Sequence, residues 1–142
     1  MQPIHVNAAA IVVAAIANFI FGALWYMPLF GKAWAAEMKM PMDATKPPTG
    51  VMIKGMVLML VGNLLTAHVL AHNSAAWMGV MPDATVVQFG FMGGFFTWLG
   101  FFLPQDLSRL AWENKSGKLF LINTVYHFLA LQIVAMILSF WR

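Results

Sequence analysis

Two histidines stand four residues apart in an apolar stretch of the chain. His68 and His72 take positions i and i+4, a spacing that puts both rings on one face of a helix, as two ligands of one metal ion require. The chain has no cysteine, and no acidic residue joins the pair. Zinc and copper sites usually have a fuller ligand set. We therefore expect no metal and no cofactor, with a His68–His72 metal site or a haem on His127 as the weaker alternative.

A second group of polar residues in apolar stretches is uncharged. Asn123 and His127 also stand at i and i+4, with Tyr126 beside them. Such residues either line a small polar pocket inside a helix bundle or hydrogen-bond across helices, and the second role is the commoner one. The predicted polar pocket comprises Asn18, Thr97, Asn123, Tyr126 and His127.

Charged residues leave four long gaps in the sequence. Residues 1–31, 55–82, 84–105 and 119–141 contain no Asp, Glu, Lys or Arg. Proton relays and ion-coupled transporters usually hold such side chains at membrane depth, so the gaps argue against a carboxylate-driven pump. They also argue against hydrolysis by paired carboxylates. No activated nucleophile is visible, so the sequence favours a protein that is not an enzyme.

These gaps predict four membrane-spanning helices. Of the 142 residues, 61% are hydrophobic and 9% are charged, whereas soluble domains carry about 25% charged residues. Each gap accommodates the roughly 20 apolar residues that a spanning helix needs. The net charge of +3 does not suggest nucleic-acid binding, which needs a clustered basic face. We predict one all-α domain, an integral membrane four-helix bundle, with helices near 5–29, 52–72, 85–104 and 118–141 and cytoplasmic loops at 30–51 and 105–117.

Basic residues are distributed unevenly over the predicted loops. The loop between the second and third helices has no Lys or Arg, only Asp83, and Arg142 follows the fourth helix. The positive-inside rule places the loops rich in Lys and Arg in the cytoplasm, so both termini are expected on the non-cytoplasmic side. The basic residues predicted in the cytoplasm are Lys32, Lys39, Lys46, Lys54, Arg109, Lys115 and Lys118.

Residues 103–112 have a helical pattern near the second basic loop. Leu103, Leu107 and Leu110 share one helical face, with Asp106 and Arg109 between them. This pattern predicts either a short amphipathic helix on the membrane surface or an ordinary solvated turn.

Small residues predict where helices pack closely. Lipid supplies no hydrophobic drive between helices, so close contact and polar contacts hold a bundle together. The pattern does not distinguish a neighbour in the same chain from one in another copy. The predicted packing glycines are Gly22, Gly90, Gly93, Gly94 and Gly100.

One aromatic motif closes the first predicted helix. Residues 22–34 read G-x-x-W-Y-x-P-x-x-G-K-x-W, residues 98–101 read W-L-G-F, and residues 121–127 read L-I-N-x-x-Y-H. With these motifs, nearly the whole chain resembles a family of small bacterial integral membrane proteins known as domain of unknown function 1761, with a weak match in the second helix. The resemblance implies a multi-pass, four-helix protein of the bacterial inner membrane. It implies no activity and no catalytic residue.

The aromatic motif has two interpretations. Either Pro28 ends the helix while Trp25, Tyr26 and Trp34 anchor it at the membrane interface, or these residues rim a pocket that opens inward. We favour the interfacial role.

The leading hypothesis for function is a non-catalytic protein that acts by assembly. Short loops, glycine stripes and the lack of deep charges favour a homo-oligomer or an accessory subunit of a larger membrane complex, with the lipid bilayer as its other partner. The alternatives are a passive channel or carrier for a small neutral solute and a His-based metal or haem redox protein.

Overall fold

The computed structural model of the chain describes residues 5–40 and 48–141. Helices and short turns make up this described part, which contains no β-strand. Two helices end in a wider π-helical turn, at Trp25–Leu29 and Trp98–Phe102. The α-helices are α1 (Ala8–Leu24), α2 (Gly31–Glu37), α3 (Thr49–Met78), α4 (Val86–Thr97), α5 (Leu103–Trp112) and α6 (Gly117–Phe140).

Four segments are long and apolar enough to cross a membrane. They are Ala8–Leu29, Thr49–Met78, Val86–Trp112 and Gly117–Phe140. The predicted all-α fold with four membrane-spanning helices is thus confirmed. The orientation in the membrane stays a prediction, and Lys46 and Arg142, which contribute to it, lie outside the described residues.

The helices extend further than their predicted bounds in two places. The third spanning segment does not end near residue 104 but continues through the second π-turn into α5, so residues 103–112 are helical rather than a solvated turn. Pro104 permits this because it lies in the first turn of α5, where its missing N–H removes no helical hydrogen bond. The third helix of the chain, α3, also runs six residues past the predicted end at 72, since Ala75 and Ala76 favour helix. The predicted loop at 30–51 contains α2.

Helix starts are capped by the residue types that the ends require. The Asn7 side chain accepts hydrogen bonds from the backbone N–H groups of Ala9 and Ala10 at the start of α1. Thr85 and Gln88 form a reciprocal capping box at the start of α4. These side chains satisfy backbone donors that have no partner within the helix.

The long helix α6 lies at the centre of the bundle. It packs against α1, α3, α4 and α5, while α1 and α3 also pack against each other. Alanines dominate the shared core and allow the backbones to approach closely. The buried core residues are Ala10, Ile11, Ala14, Ala15, Ala67, Leu70, Ala71, Leu131, Val134, Ala135 and Leu138.

Three of the five predicted packing glycines lie at contacts within the bundle. A Cβ at Gly90 would lie 2.8 Å from the Met136 sulfur, one at Gly94 would lie 2.8 Å from the Gln132 amide nitrogen, and one at Gly22 would meet Met59 and Tyr126. Gly93 and Gly100 are different. The nearest atom to a Cβ at Gly93 is the Ser74 hydroxyl, 4.0 Å away, and nothing lies within 4 Å at Gly100.

The first half of α3 is largely uncovered by the other helices, although Met59 reaches Gly22 of α1. Every residue from Thr49 to Gly62 is exposed, although most of them are apolar. This surface is therefore available to lipid or to another protein.

Candidate functional site

The first π-turn places two aromatic residues against α6. Pro28 cannot donate to a carbonyl one helical turn back, and the backbone widens here so that the N–H of Phe30 reaches the Trp25 carbonyl at 2.8 Å. Such π-bulges occur frequently at functional sites. The indole of Trp25 is 7% exposed, and Tyr26 follows it directly.

Both π-turns are tied to α6 in the same way. The Trp25 Nε1–H donates to the Ile122 carbonyl at 3.2 Å, and the Trp98 Nε1–H donates to the Thr124 carbonyl at 3.1 Å. Each π-turn therefore has a tryptophan anchor on α6. The two anchors hold the elements that follow, α2 and α5, at one end of the bundle, called here the site end.

The hydroxyl of Tyr26 reaches the first of the polar residues on α6. It donates to Asn123 Oδ1 at 3.0 Å, and the Tyr26 ring packs edge-on against Tyr126 and Trp34. A Cβ at Gly31 would lie 2.7 Å from the Tyr26 carbonyl oxygen. Only glycine permits this close approach, which folds α2 back so that Trp34 covers Tyr26.

A buried carboxylate–histidine pair lies beside this aromatic cluster. Asp106 Oδ2 accepts a hydrogen bond of 2.7 Å from His127 Nδ1, and Arg109 lies 3.8 Å from the other carboxylate oxygen. Asp106 is only 3% exposed. The expectation that the bundle contains no buried charge is thus wrong, because α5 folds in and brings Asp106 from the predicted loop against α6.

The sequence holds a signal for the burial of Asp106. In a helix, Asp106 is three residues from Leu103 and four residues from Leu110, so it shares their face. Leu103 and Leu110 are half-buried and Asp106 between them is buried, whereas Leu107 is exposed. A charged residue on the apolar face of an amphipathic segment therefore indicates that the residue is buried.

The His127–Asp106 geometry sets the proton position on the imidazole. A carboxylate only accepts hydrogen bonds, so His127 carries a proton on Nδ1, and Nε2 is an acceptor when the ring is neutral. A carboxylate–histidine pair of this kind can orient a general base. Among the hydrogen bonds of the described residues, none joins His127 to a hydroxyl.

A pocket of about 360 Å³ opens next to the pair at the site end. Asp106 and Asn123 form part of its wall, whereas His127 lies behind Asp106. Charged groups of both signs face the pocket, two acidic and two basic. The lining residues are Trp34, Met38, Asp106, Arg109, Leu110, Glu113, Lys115, Leu119, Phe120 and Asn123.

The helix α2 forms one side of this pocket and is tied to α6 at its far end. The Ser116 hydroxyl donates to the Glu37 carboxylate, and Lys118 lies 3.5 Å from Glu37. The Ser116 hydrogen bond, with a smaller contribution from the Lys118 charge, lowers the pKa of Glu37 below its ordinary value. The ionised carboxylate thus keeps Trp34 and Met38 over the pocket.

The five residues of the predicted polar pocket fall into three separate places and do not form one pocket. Asn123, Tyr126 and His127 lie together in the cluster at the site end. The amide of Asn18 donates to Asn63 Oδ1 at 2.9 Å and so links α1 to α3. The Thr97 hydroxyl donates to the Gly93 carbonyl of its own helix at 2.7 Å and lies in a different cavity.

The two histidines of α3 lie side by side. Their ring centroids are 4.4 Å apart, and His72 Nδ1 lies 2.9 Å from the His68 carbonyl oxygen. Across residues 5–40 and 48–141, no group of three His, Cys, Asp or Glu side chains is placed to hold a metal ion.

Comparison with known proteins identifies a family. A family model described as "Protein of unknown function (DUF1761)" matches residues 9–139, and this range contains the π-turns, the Asp106–His127 pair and the pocket. No curated protein and no solved structure matches the chain.

Proposed function

Since the chain belongs to the family of proteins of unknown function DUF1761, which carries no assigned activity, we propose from the site itself that the protein binds a small polar solute and carries it across a membrane. The solute would occupy the pocket at the site end. The observation that carries this proposal is the buried Asp106 carboxylate, oriented by His127 at one wall of that pocket.

The charges of the pocket indicate what kind of solute fits. Asp106 and Glu113 are balanced by Arg109 and Lys115, so a solute with no net charge, either neutral or zwitterionic, matches the lining best. Asp106 supplies an acceptor for a donor group, and the Arg109 guanidinium supplies donors for a carbonyl or carboxylate. Trp34 and Phe120 provide apolar contacts on the remaining wall. This combination of apolar walls and a few convergent polar groups is typical of small-molecule sites.

Uptake into vesicles tests the proposal. The purified protein is reconstituted, and the uptake of labelled glycerol, urea and glycine is compared with that of empty vesicles. We expect uptake of at least one of these solutes, reduced about tenfold or more by Asp106→Asn, since a hydrogen bond to a charged group contributes about 1.5–3 kcal/mol and 1.4 kcal/mol is a factor of ten. Asp83→Asn, an exposed change of the same kind, should have no effect. Equal uptake by Asp106→Asn and Asp83→Asn would contradict the proposal.

We propose assembly with a second copy or a larger complex as the second candidate function. The exposed half of α3 supports it, because a Cβ at Gly55 or Gly62 would meet nothing within 4 Å, and the two glycines are seven residues apart on one face. Since the chain has no cysteine, Gly62→Cys gives a single thiol. The control is Val12→Cys, which places the thiol on α1. Disulfide-linked dimers of Gly62→Cys but not of Val12→Cys in native membranes would support self-assembly. Monomers of both variants would count against it.

A further inference from the structure

A cleft separates α3 from α4 on the side of the bundle away from α1. It consists of two adjoining cavities of about 870 Å³ and about 310 Å³. The two cavities share Asn73, Thr97 and Phe101 in their linings. Phe102 closes the cleft towards the site end, where its ring contacts His127 at a centroid distance of 5.2 Å.

Two polar residues of this cleft, His68 and Thr97, lie deep in the membrane-spanning part of the chain. At 1.5 Å per residue, His68 is about 15 Å from the end of α3 at Met78, and Thr97 is about 16 Å from the start of α4 at Val86. The hydrocarbon core of a bilayer is about 30 Å thick, so both residues fall near its middle. His68 is nevertheless exposed. Exposed polar side chains at this depth are costly and mark functional sites.

Hydrogen bonding leaves a defined acceptor in the cleft. The His68 carbonyl only accepts, so His72 Nδ1 carries the proton of their 2.9 Å contact. Nε2 is therefore an acceptor when the His72 ring is neutral, and no described residue donates to it. A ligand group that donates a hydrogen bond, such as a hydroxyl, complements this acceptor.

The rest of the cleft is apolar and suits a hydrocarbon chain. Its walls include Leu65, Val69, Phe96 and Phe101. A helix with its side chains is 10–12 Å wide and rises 5.4 Å per turn, so one turn fills roughly 500 Å³. The larger cavity would therefore hold less than two turns, which is far short of a spanning helix. Its volume lies in the range of small-molecule sites, about 300–1,000 Å³.

We propose that the cleft between α3 and α4 binds a lipid-soluble molecule that has a hydroxyl head and an apolar tail. The molecule enters sideways from the bilayer. Its hydroxyl donates to His72 Nε2, near His68 and Asn73, which line the same cavity. Its tail lies along Val69 and Phe101. The site is independent of the solute pocket, because Phe102 and His127 stand between them.

Photo-crosslinking in phosphatidylcholine vesicles tests the proposal. The probe is a long-chain 4-alkylphenol with a diazirine in its chain, and its twin is the same alkylbenzene without the hydroxyl. We expect the phenol to label α3 and α4 at least about tenfold more than the twin, and unlabelled alkylphenol to compete. His72→Phe should abolish the preference, whereas His5→Phe, the same change in a different cavity, should leave it intact.

A second variant keeps the test informative if His72→Phe does not fold. Val69→Trp fills the cleft from an exposed position and touches none of the polar groups, so it should also prevent labelling. Equal labelling by phenol and twin would overturn the proposal, as would full labelling of a folded His72→Phe protein. Disulfide-linked dimers of a Gly93→Cys variant, with neither probe bound, would overturn it too, by showing that a second copy fills the cleft.

Discussion

The carboxylate of Asp106 accepts a hydrogen bond of 2.7 Å from Nδ1 of His127, although Asp106 precedes α6 on an amphipathic helix that a linear reading places in a loop. This contact joins α5 to α6 and forms the inner wall of the proposed solute pocket. It also places a buried carboxylate within the bundle, which the spacing of charged residues along the chain argues against.

Loss of this hydrogen bond should destabilise the bundle. His127→Ala leaves a buried carboxylate without its main partner, and we expect a loss of about 1.5–3 kcal/mol in the free energy of unfolding. Unfolding in a denaturing detergent, followed by circular dichroism, measures this loss. His5→Ala is the matched control, because His5 is exposed. Equal stability of the two variants would show that the pair contributes nothing.

The two tryptophan anchors should make separate and similar contributions. Trp25→Phe and Trp98→Phe each remove one indole N–H bond to a carbonyl of α6 and keep an aromatic ring. We expect each to cost about 0.5–1.5 kcal/mol. The double variant should cost the sum, because the two bonds share no partner. A loss in the double variant far above the sum would indicate that the π-turns depend on each other.

The close approach at Gly31 should tolerate no side chain. A Cβ there would lie 2.7 Å from the Tyr26 backbone oxygen, so Gly31→Ala should push α2 away and expose Trp34. Quenching of tryptophan fluorescence by iodide should increase. Gly79→Ala is the control, since a Cβ at Gly79 meets nothing within 4 Å. If iodide quenches the fluorescence of both variants to the same extent as that of the wild type, the position of α2 does not depend on this contact.

The contact of α2 with α6 should weaken in acid. The pKa of Glu37 is lowered in the folded protein by the Ser116 hydroxyl and by Lys118. A depressed folded pKa means that the contact stabilises the fold above the ordinary pKa of a carboxyl group and is lost as the pH falls through the folded value. A single thiol at Met38→Cys, which lines the pocket, should therefore react faster at low pH, after correction for the pH dependence of the reagent.

A variant that removes the titrating carboxyl group provides the control for this pH effect. Adding Glu37→Gln should make the corrected thiol reactivity high and independent of pH, because the titrating group is gone. Adding Glu113→Gln should leave the acid transition in place. A transition that persists in Glu37→Gln would assign the effect to another group.

The sequence predicts the four spans well and the site only in part. Long uncharged gaps and a motif of Trp25, Tyr26 and Pro28 are local signals, so they identify the spans and the region of the pocket. Which residues meet across helices depends on packing that no local pattern contains. Asn18 pairs with Asn63, and Thr97 lies in the cleft beside α3, whereas Asn123 meets Tyr26.

The burial of Asp106 shows why the remainder is difficult to predict. Pro104 and the charges after it are typical of a helix end. The widened π-turn at Trp98–Phe102 instead carries the chain on into α5. No pattern of hydrophobic residues signals a five-residue π-turn. The π-turn rotates the helix that follows, so the face that α5 turns towards the bundle becomes visible only in the structure.

Native mass spectrometry of the protein, extracted gently from its own membrane, tests the central claim most directly. We expect that the wild type and Asp83→Asn retain a small molecule of no net charge and that Asp106→Asn loses it. A folded Asp106→Asn protein that retains the same molecule, or a wild type with no small polar molecule bound at any extraction condition, would contradict the proposed function.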